Sequence, residues 1–198
     1  LPADFSGGFV RVMTKNIPDG NTFNVSYQMG FNTNATFRNF QLTDGTAKDY
    51  LGFGADVRNL PSSFPAHLGE HSTDEAAAFT RQINQRWGIN KFTAIPDQKI
   101  SLTSHRSYDV GGWKIGNITN LNWSTEFDYS ETVNNNYIAY DVKNDVSRPR
   151  FEYNDIRYKN TSKLGALFNW SFQRDGSKYE LRNFFSQRGV SALTQREG

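Results

Sequence analysis

Residues 113–129 read WKIGNITNLNWSTEFDY. Apolar and aromatic side chains dominate one parity of this stretch, from Trp113 to Tyr129, and polar or charged side chains hold the other. Ile118 is the exception. A period of two is that of a β-strand with one apolar and one polar face. Because the average strand has only five or six residues, the stretch predicts an unusually long strand in an all-β, antiparallel sheet.

The same alternation recurs in five other segments and predicts a strand in each. These segments are 23–31, 51–57, 100–108, 158–172 and 178–188. Glycine-containing pairs near 111 and 175 predict tight turns. Three polar or proline-containing stretches, 32–48, 61–97 and 130–152, are predicted to be long connections.

One short helix is predicted inside the connection 61–97. Ser72 followed by Glu75 has the spacing of a capping box. An alanine-rich, partly apolar segment follows, and Gly88 is a suitable helix stop. The pattern predicts a helix over 73–87 in a loop of an otherwise β-rich chain.

Composition excludes several classes of protein. The chain has 198 residues, 22 basic and 20 acidic side chains and no cysteine. The near-balanced charge gives no argument for nucleic-acid binding, and the lack of cysteine excludes a disulfide scaffold and a cysteine nucleophile. No run of about 18 apolar residues is present, as a transmembrane helix requires. With no phosphate-binding, dinucleotide or nucleophile-elbow motif, we expect neither catalysis nor a cofactor.

The alternation of connection lengths has a physical meaning. Long strands with short turns at one end and long loops at the other are typical of a transmembrane β-barrel. The apolar parity would then face lipid and the polar parity the lumen, with Trp113, Trp170 and Phe172 in an interfacial girdle near the short turns. A soluble antiparallel β-sandwich with one wet face gives the same alternation, so the pattern leaves both open.

Two short clusters suggest metal chemistry. His67, Glu70 and His71 match a zinc-peptidase pattern, but Pro65 and Gly69 argue for a solvated loop rather than the helix that such a site needs. In the connection 130–152, carboxylates and amides could bind Ca²⁺ through oxygen ligands, although their spacing fits no EF-hand loop. The acidic members of this second cluster are Glu131, Asp141 and Asp145. We assign no metal site to either, and the sequence leaves Ca²⁺ binding in the connection 130–152 open.

The connection 130–152 also holds the ligand-binding candidates, Tyr137, Tyr140 and Asn136. Exposed aromatic side chains in a loop can stack on a sugar or peptide, and an amide beside them can hydrogen-bond to it.

Several motifs, taken in order, carry a resemblance to a known family. The opening DFSGGFVRVMTK, residues 4–15, has a glycine pair, Gly7 and Gly8, leading into a segment that ends in Thr14 and Lys15. Further motifs are GFNT at 30–33, DYLGF at 49–53, RNLP at 58–61, YELRNFF at 179–185 and REG at 196–198. This order resembles the end of the plug and the first barrel strands of TonB-dependent outer-membrane receptors of the Bacteroidota type.

The resemblance implies a division of the chain and a function. Residues 1–18 would be the C-terminal end of the plug domain, with Gly7, Gly8, Thr14 and Lys15 as its plug-end motif, and residues 19–198 the first roughly six strands of the barrel. Because such barrels have about 22 strands, we expect the chain to be a fragment of a receptor for energy-coupled nutrient uptake in the outer membrane of a Gram-negative bacterium.

The expected partners also follow from the resemblance. They are outer-membrane lipid, a TonB energy-coupling protein acting through an N-terminal part not contained in this chain, a surface lipoprotein and a nutrient that the sequence does not identify; nucleic acid is not among them. The alternative is a soluble β-sandwich that binds carbohydrate through Tyr137, Tyr140 and Trp87.

Overall fold

The computed structural model describes residues 17–55, 59–83 and 88–198. The plug-end motif Gly7, Gly8, Thr14 and Lys15 lies outside the described residues, as does Trp87. Seven strands and one α-helix are described. They are β1 Thr22–Gly30, β2 Asn39–Thr43, α1 Thr73–Arg81, β3 Ile89–Thr93, β4 Asp97–Val110, β5 Trp113–Asp141, β6 Val146–Arg174 and β7 Ser177–Glu197.

Five strands form the main sheet, in the order β1-β4-β5-β6-β7, with every neighbouring pair antiparallel. The sequence prediction of an antiparallel, all-β fold with one short helix is therefore confirmed. Among the described residues β1 and β7 each have a strand neighbour on one side only, so the sheet they form is open.

Two tight turns lie at the same end of this sheet, the short-turn end. Gly111 and Gly112 join β4 to β5 with φ of 57° and 80°. Asp175 and Gly176 join β6 to β7 with φ of 47° and 80°. Two successive residues with positive φ make the hairpin turn whose twist matches that of antiparallel strands. The two tight turns predicted from the sequence are confirmed.

The strands β5 and β6 have 29 residues each and extend past their neighbours. The partner strand β4 reaches only to Thr125 of β5, and β7 reaches only to Asn154 of β6. Residues 135–153 therefore project from the sheet as a two-stranded hairpin, the projecting hairpin. A register irregularity interrupts its pairing near Tyr137 and Pro149.

The projecting hairpin corrects the prediction of a long loop over 130–152. Only residues 142–145 connect the two strands. The run of three asparagines at 134–136 and Pro149 hides the signal, because both residue types are depleted in strands. Cross-strand pairing overrides these local preferences.

The two faces of the main sheet differ in chemistry. We name face A the one that carries odd-numbered residues of β1, β5 and β7 and even-numbered residues of β4 and β6; face B carries the others. Face A is mostly apolar and aromatic, whereas face B is mostly polar and charged. The predicted division of parities along these strands is thus present.

A second, two-stranded antiparallel sheet of β2 and β3 covers one part of face A. Phe40 of β2 is fully buried, and its ring centroid lies 5.4 Å from that of Phe127 and 5.2 Å from that of Tyr158. Ala35 and Ala94 complete the buried cluster. The core of the molecule therefore lies at the end of the sheet away from the short turns.

The prediction of a strand over 51–57 is wrong where the structure describes this segment. Ala47–Leu51 is a 3-10 helix. Its start is stabilised by the Asp49 carboxylate, which accepts a hydrogen bond from the Thr46 N–H at 2.8 Å. Gly52 then ends the helix with a φ of 81°. The alternation of apolar residues with glycine and charge imitated a strand, while β2 and β3 went unpredicted because each has only five residues.

The helix α1 confirms the predicted capping box. The Glu75 N–H donates to Ser72 Oγ at 3.4 Å, and the Ser72 N–H donates to the Glu75 carboxylate at 3.0 Å. The helix ends at Arg81, with Gln82 as its C-cap, and so is shorter than the predicted 73–87. The last part of that prediction, 84–87, lies outside the described residues. No described helix has the length and the apolar character that crossing a membrane would need.

Candidate functional site

The part of face A nearest the short turns forms a wide apolar surface, the apolar band. Central members are about half exposed: Leu121 is 46% exposed, Phe168 45% and Phe23 56%. All five strands of the main sheet contribute. The members are Phe23, Val25, Tyr27, Met29, Ile100, Leu102, Tyr108, Val110, Trp113, Ile115, Leu121, Trp123, Leu164, Ala166, Phe168, Trp170, Phe172, Tyr179, Leu181 and Phe185. A contiguous apolar surface of this kind marks a binding site or a membrane contact.

The height of the apolar band can be read from β5. Trp113 and Trp123 both lie on face A and are ten residues apart, which is about 34 Å along an antiparallel strand. In a strand tilted by about 45° this length gives a height of about 25 Å, which is that of the lipid-facing zone of an outer-membrane barrel.

The tryptophan and tyrosine side chains of the band lie toward its two ends. At the short-turn end, the rings of Trp113 and Tyr179 lie 6.1 Å apart and the Arg174 guanidinium lies 5.8 Å from the Trp113 ring. At the opposite end, Trp123 Nε1 donates to the Tyr50 carbonyl oxygen at 2.7 Å. Aromatic rings with a polar partner suit a boundary between an apolar zone and water.

The residues between these ends are mainly aliphatic side chains and phenylalanines. One cross-strand row runs across all five strands and consists of Val25, Leu102, Leu121, Ala166 and Phe185. Aromatic zones that flank an apolar middle are the pattern of barrel strands in a membrane.

Charge is almost absent from the band. Between its two aromatic ends, Arg106 is the one charged side chain that the described residues place on face A. Polar members are satisfied locally: Asn117 Nδ2 donates to the Asn169 carbonyl at 3.1 Å, and Asn183 Nδ2 to the Phe168 carbonyl at 3.1 Å. Polar side chains paired in this way can be removed from water at a smaller cost.

Face B has the opposite character. Lys159 Nζ lies 2.7 Å from Asp128 Oδ2, and Lys163 Nζ lies 3.1 Å from Glu126 Oε1. Closer to the short turns, Ser101 Oγ donates to Asn122 Oδ1 at 2.6 Å. Charged and amide side chains therefore follow one another along face B, and groups of this kind are stable in contact with water.

The structure separates the predicted ligand-binding residues. Asn136 lies on face B opposite Phe151, while Tyr137 and Tyr140 lie beyond the register irregularity, near the tip of the projecting hairpin. The Tyr140 hydroxyl donates to the Asp145 carboxylate, and this bond raises the pKa of Tyr140. The three residues do not form one platform.

An aromatic pair that the sequence analysis missed lies beside Asn136. The rings of Phe151 and Tyr153 stack with centroids 4.8 Å apart. The Arg196 guanidinium lies 4.6 Å from the Tyr153 ring and pairs with Asp155 at 2.7 Å. The alternation of aromatic residues at 151 and 153 was the available signal, but the prediction of a loop there concealed it.

The carboxylates considered for Ca²⁺ are used within the hairpin. Asp141 accepts bonds from the Lys143 and Asn144 backbone N–H groups at 3.1 and 3.3 Å and so caps the turn. These bonds and the Asn144 amide hold the pKa of Asp141 below its ordinary value, with the side-chain amide contributing most. Glu131 lies ten residues away along β5, where the Tyr129 hydroxyl donates to it.

The histidine motif is likewise dispersed. Leu68–Glu70 is a 3-10 helix, and His71 Nδ1 lies 3.8 Å from Glu75 Oε2. The His71 ring packs against Phe79 with centroids 5.2 Å apart. In the described ranges, no group of three or more His, Cys, Asp or Glu side chains is arranged to hold a metal ion.

Comparisons with known proteins found no match to a family model, to a curated protein or to a solved structure.

Proposed function

We propose that the chain is a segment of a TonB-dependent outer-membrane receptor for energy-coupled nutrient uptake, with the apolar band against lipid and face B toward the lumen. The observation that supports this best is the band itself. It is exposed, nearly free of charge, flanked by aromatic side chains and about as tall as the lipid-facing zone of a barrel.

The open edges of the sheet support the same proposal. In the part of the chain that the structure describes, the outer edges of β1, with 9 residues, and β7, with 21, pair with no other strand. Such edges promote aggregation unless another strand or loop covers them. In a receptor barrel, further strands of the same polypeptide would pair with both edges.

The positions of the short turns and the projecting hairpin support one arrangement across the membrane. The short turns would lie on the periplasmic side, and the projecting hairpin and the described parts of the 31–96 connection on the cell exterior. In that arrangement the partners are outer-membrane lipid around the band, a TonB energy-coupling protein in the periplasm and a surface lipoprotein at the exterior. The proposed role is transport, not catalysis.

Fractionation of the source cells tests the proposal. An antiserum raised against this chain is used to probe outer-membrane and soluble fractions after gel electrophoresis, with and without heating in detergent. We expect the antiserum to detect a protein in the outer-membrane fraction whose electrophoretic mobility changes on heating. A soluble band that does not change on heating would reject the transporter and support the carbohydrate-binding β-sandwich instead.

A further inference from the structure

A cavity opens on face A next to the covered core, away from the apolar band. Its volume is ≈ 620 Å³, within the range of small-ligand sites. The lining residues are Asn34, Phe37, Arg38, Asn39, Tyr129, Glu131 and Tyr158. Two separate parts of the chain build it, the segment 34–39 after β1 and the facing strands β5 and β6.

One wall of the cavity is the edge of β5 that β4 leaves uncovered, the free edge. The two-residue turn makes Val110 and Trp113 a hydrogen-bonded pair, so odd-numbered residues of β5 direct their backbone groups toward β4. Phe127 shows the same direction of backbone groups. Its N–H donates to Asp97 Oδ1 at 2.8 Å, and its carbonyl accepts from Asn32 Nδ2 at 3.4 Å.

The next odd-numbered residues have no such partners. Tyr129 and Glu131 direct their backbone N–H and C=O groups to the same side as Phe127, where β4 has ended. Among the described residues, no group on this side pairs with them. The cavity therefore offers two donors and two acceptors at the spacing of an antiparallel ladder.

The opposite wall is held rigidly. Phe37 adopts a φ of 61°, which is uncommon for a bulky residue, and its N–H donates to the Ala94 carbonyl at 2.8 Å. Arg38 is pinned on both backbone sides, and its Nε donates to the Thr33 carbonyl at 2.9 Å. Unusual backbone that is fixed by its surroundings is a feature of binding sites.

Arg38 also supplies charge. Its Nε is engaged by Thr33, which leaves the two terminal nitrogens of the guanidinium for a ligand, and it forms no ion pair with a carboxylate in the described ranges. The Glu131 carboxylate is already bonded to the Tyr129 hydroxyl, and this bond is the main reason that the pKa of Tyr129 is raised to about 12. Arg38 is thus the group suited to an incoming carboxylate.

We propose that this cavity binds an extended peptide segment, which adds a short strand to the free edge of β5 and places a carboxylate on Arg38. The backbone N–H and C=O groups of Tyr129 and Glu131 point outward from the free edge, and this favours a peptide, since strand addition obtains its affinity from main-chain hydrogen bonds. A sugar would have to stack on Phe37 or Tyr129, because Tyr158 is buried under Phe40 and offers no open ring face. The inference does not depend on the membrane location of the band.

The test uses the full chain in detergent micelles and the acetylated pentapeptide Thr-Val-Thr-Val-Thr with a free C-terminal carboxylate. Two matched peptides carry an amidated C-terminus or N-methyl groups on alternate residues, and maltopentaose is the sugar probe. We expect the first peptide to bind with shifts of the Tyr129 and Glu131 amide resonances, and each modification to weaken binding about tenfold or more.

Variants complete the test. Arg38→Gln should weaken binding of the carboxylate peptide about tenfold and leave binding of the amidated peptide unchanged. Arg150→Gln, an equal charge change on an exposed residue of β6 outside the cavity, should have no effect. Absence of peptide binding, equal binding of the free and amidated peptides, or binding of maltopentaose alone would overturn the proposal. The peptide comparisons need no change in the protein, so they stand even if the Arg38 variant fails to fold.

Discussion

Face A consists of two regions that the same strands build in different ways. In the region away from the short turns, β2 and β3 cover Phe127 and Tyr158 and form a closed aromatic core. In the region near the short turns, side chains of similar kind, such as Leu121 and Phe168, remain exposed.

The difference shows where the molecule obtains its apolar contacts. The covered region is completed by the chain itself, so its stability should depend on internal packing. Most of the apolar band has no cover among the described residues, apart from Phe53, whose ring stacks on Phe185 with centroids 6.2 Å apart. Under the proposed function lipid would cover it. The following predictions separate the two regions, beginning with the largest expected effect.

Phe40→Ala should remove the centre of the covered region. The ring is fully buried between Phe92, Phe127 and Tyr158, so the cavity should cost about 3–5 kcal/mol of unfolding free energy. Hydrogen exchange should report lost protection in β2 and β3 before the central part of β5. Phe31→Ala, at a residue 65% exposed, is the control and should change little. Uniform loss of protection over the main sheet would contradict two separable regions.

Phe168→Arg should disrupt the apolar band. Phe168 lies midway between the two aromatic ends, where an arginine in lipid costs about 2–4 kcal/mol. The matched control is Phe184→Arg, because Phe184 is 77% exposed on face B, and this change should stay within about 0.5 kcal/mol. Folding into lipid vesicles, followed by heat-modifiable mobility, measures both. If both variants folded into vesicles equally well, the proposal that face A contacts lipid would be wrong.

Asp97→Ala should loosen the junction between the two regions. Asp97 Oδ1 accepts the Phe127 N–H at the point where β4 begins, so the loss should be about 1 kcal/mol. Burial raises the pKa of the Asp97 carboxyl. The stability that the folded protein gains from this pKa difference is therefore fully present at low pH, and it is lost as pH rises through the raised folded pKa. Asp97→Asn keeps an acceptor without the charge and should be more stable than the alanine variant in chemical denaturation at pH 7. The reverse order would contradict this role.

The smallest effect concerns the end of β7. Hydrogen bonding to Arg196 lowers the pKa of Asp155. Stability from the pair is therefore fully present above the unfolded pKa of about 3.9 and is lost as pH falls through the lower folded value. An NMR titration should show Asp155 titrating at a higher pH in Arg196→Gln than in the unmodified chain. Identical titration curves would show that the pair has no effect.

The sequence predicted the parts of the fold that depend on local pattern. Alternation over 113–129 and 158–172 predicted the long strands, and the glycine pairs predicted both tight turns, because these signals lie within a few residues of one another. The short strands β2 and β3 gave no comparable signal, since their stability comes from Phe40 packing on residues nearly ninety positions away.

The candidate sites were less predictable for the same reason. The cavity joins Arg38 to Tyr129, and neither residue alone indicates binding. Tyr137 and Tyr140 looked like a loop platform, but their position in the projecting hairpin depends on pairing with the 146–153 segment. The assignment of face A to lipid stays a prediction.

Cysteine scanning tests that assignment most directly, because the chain contains no cysteine of its own. Single cysteines are placed at 164, 166, 168 and 170 on face A and at 165, 167 and 169 on face B. The chain in outer membranes is then treated with a membrane-impermeant maleimide. We expect labelling at the odd positions and protection at the even ones, a period of two. Equal labelling of both sets would show that water reaches the apolar band and would contradict the central claim.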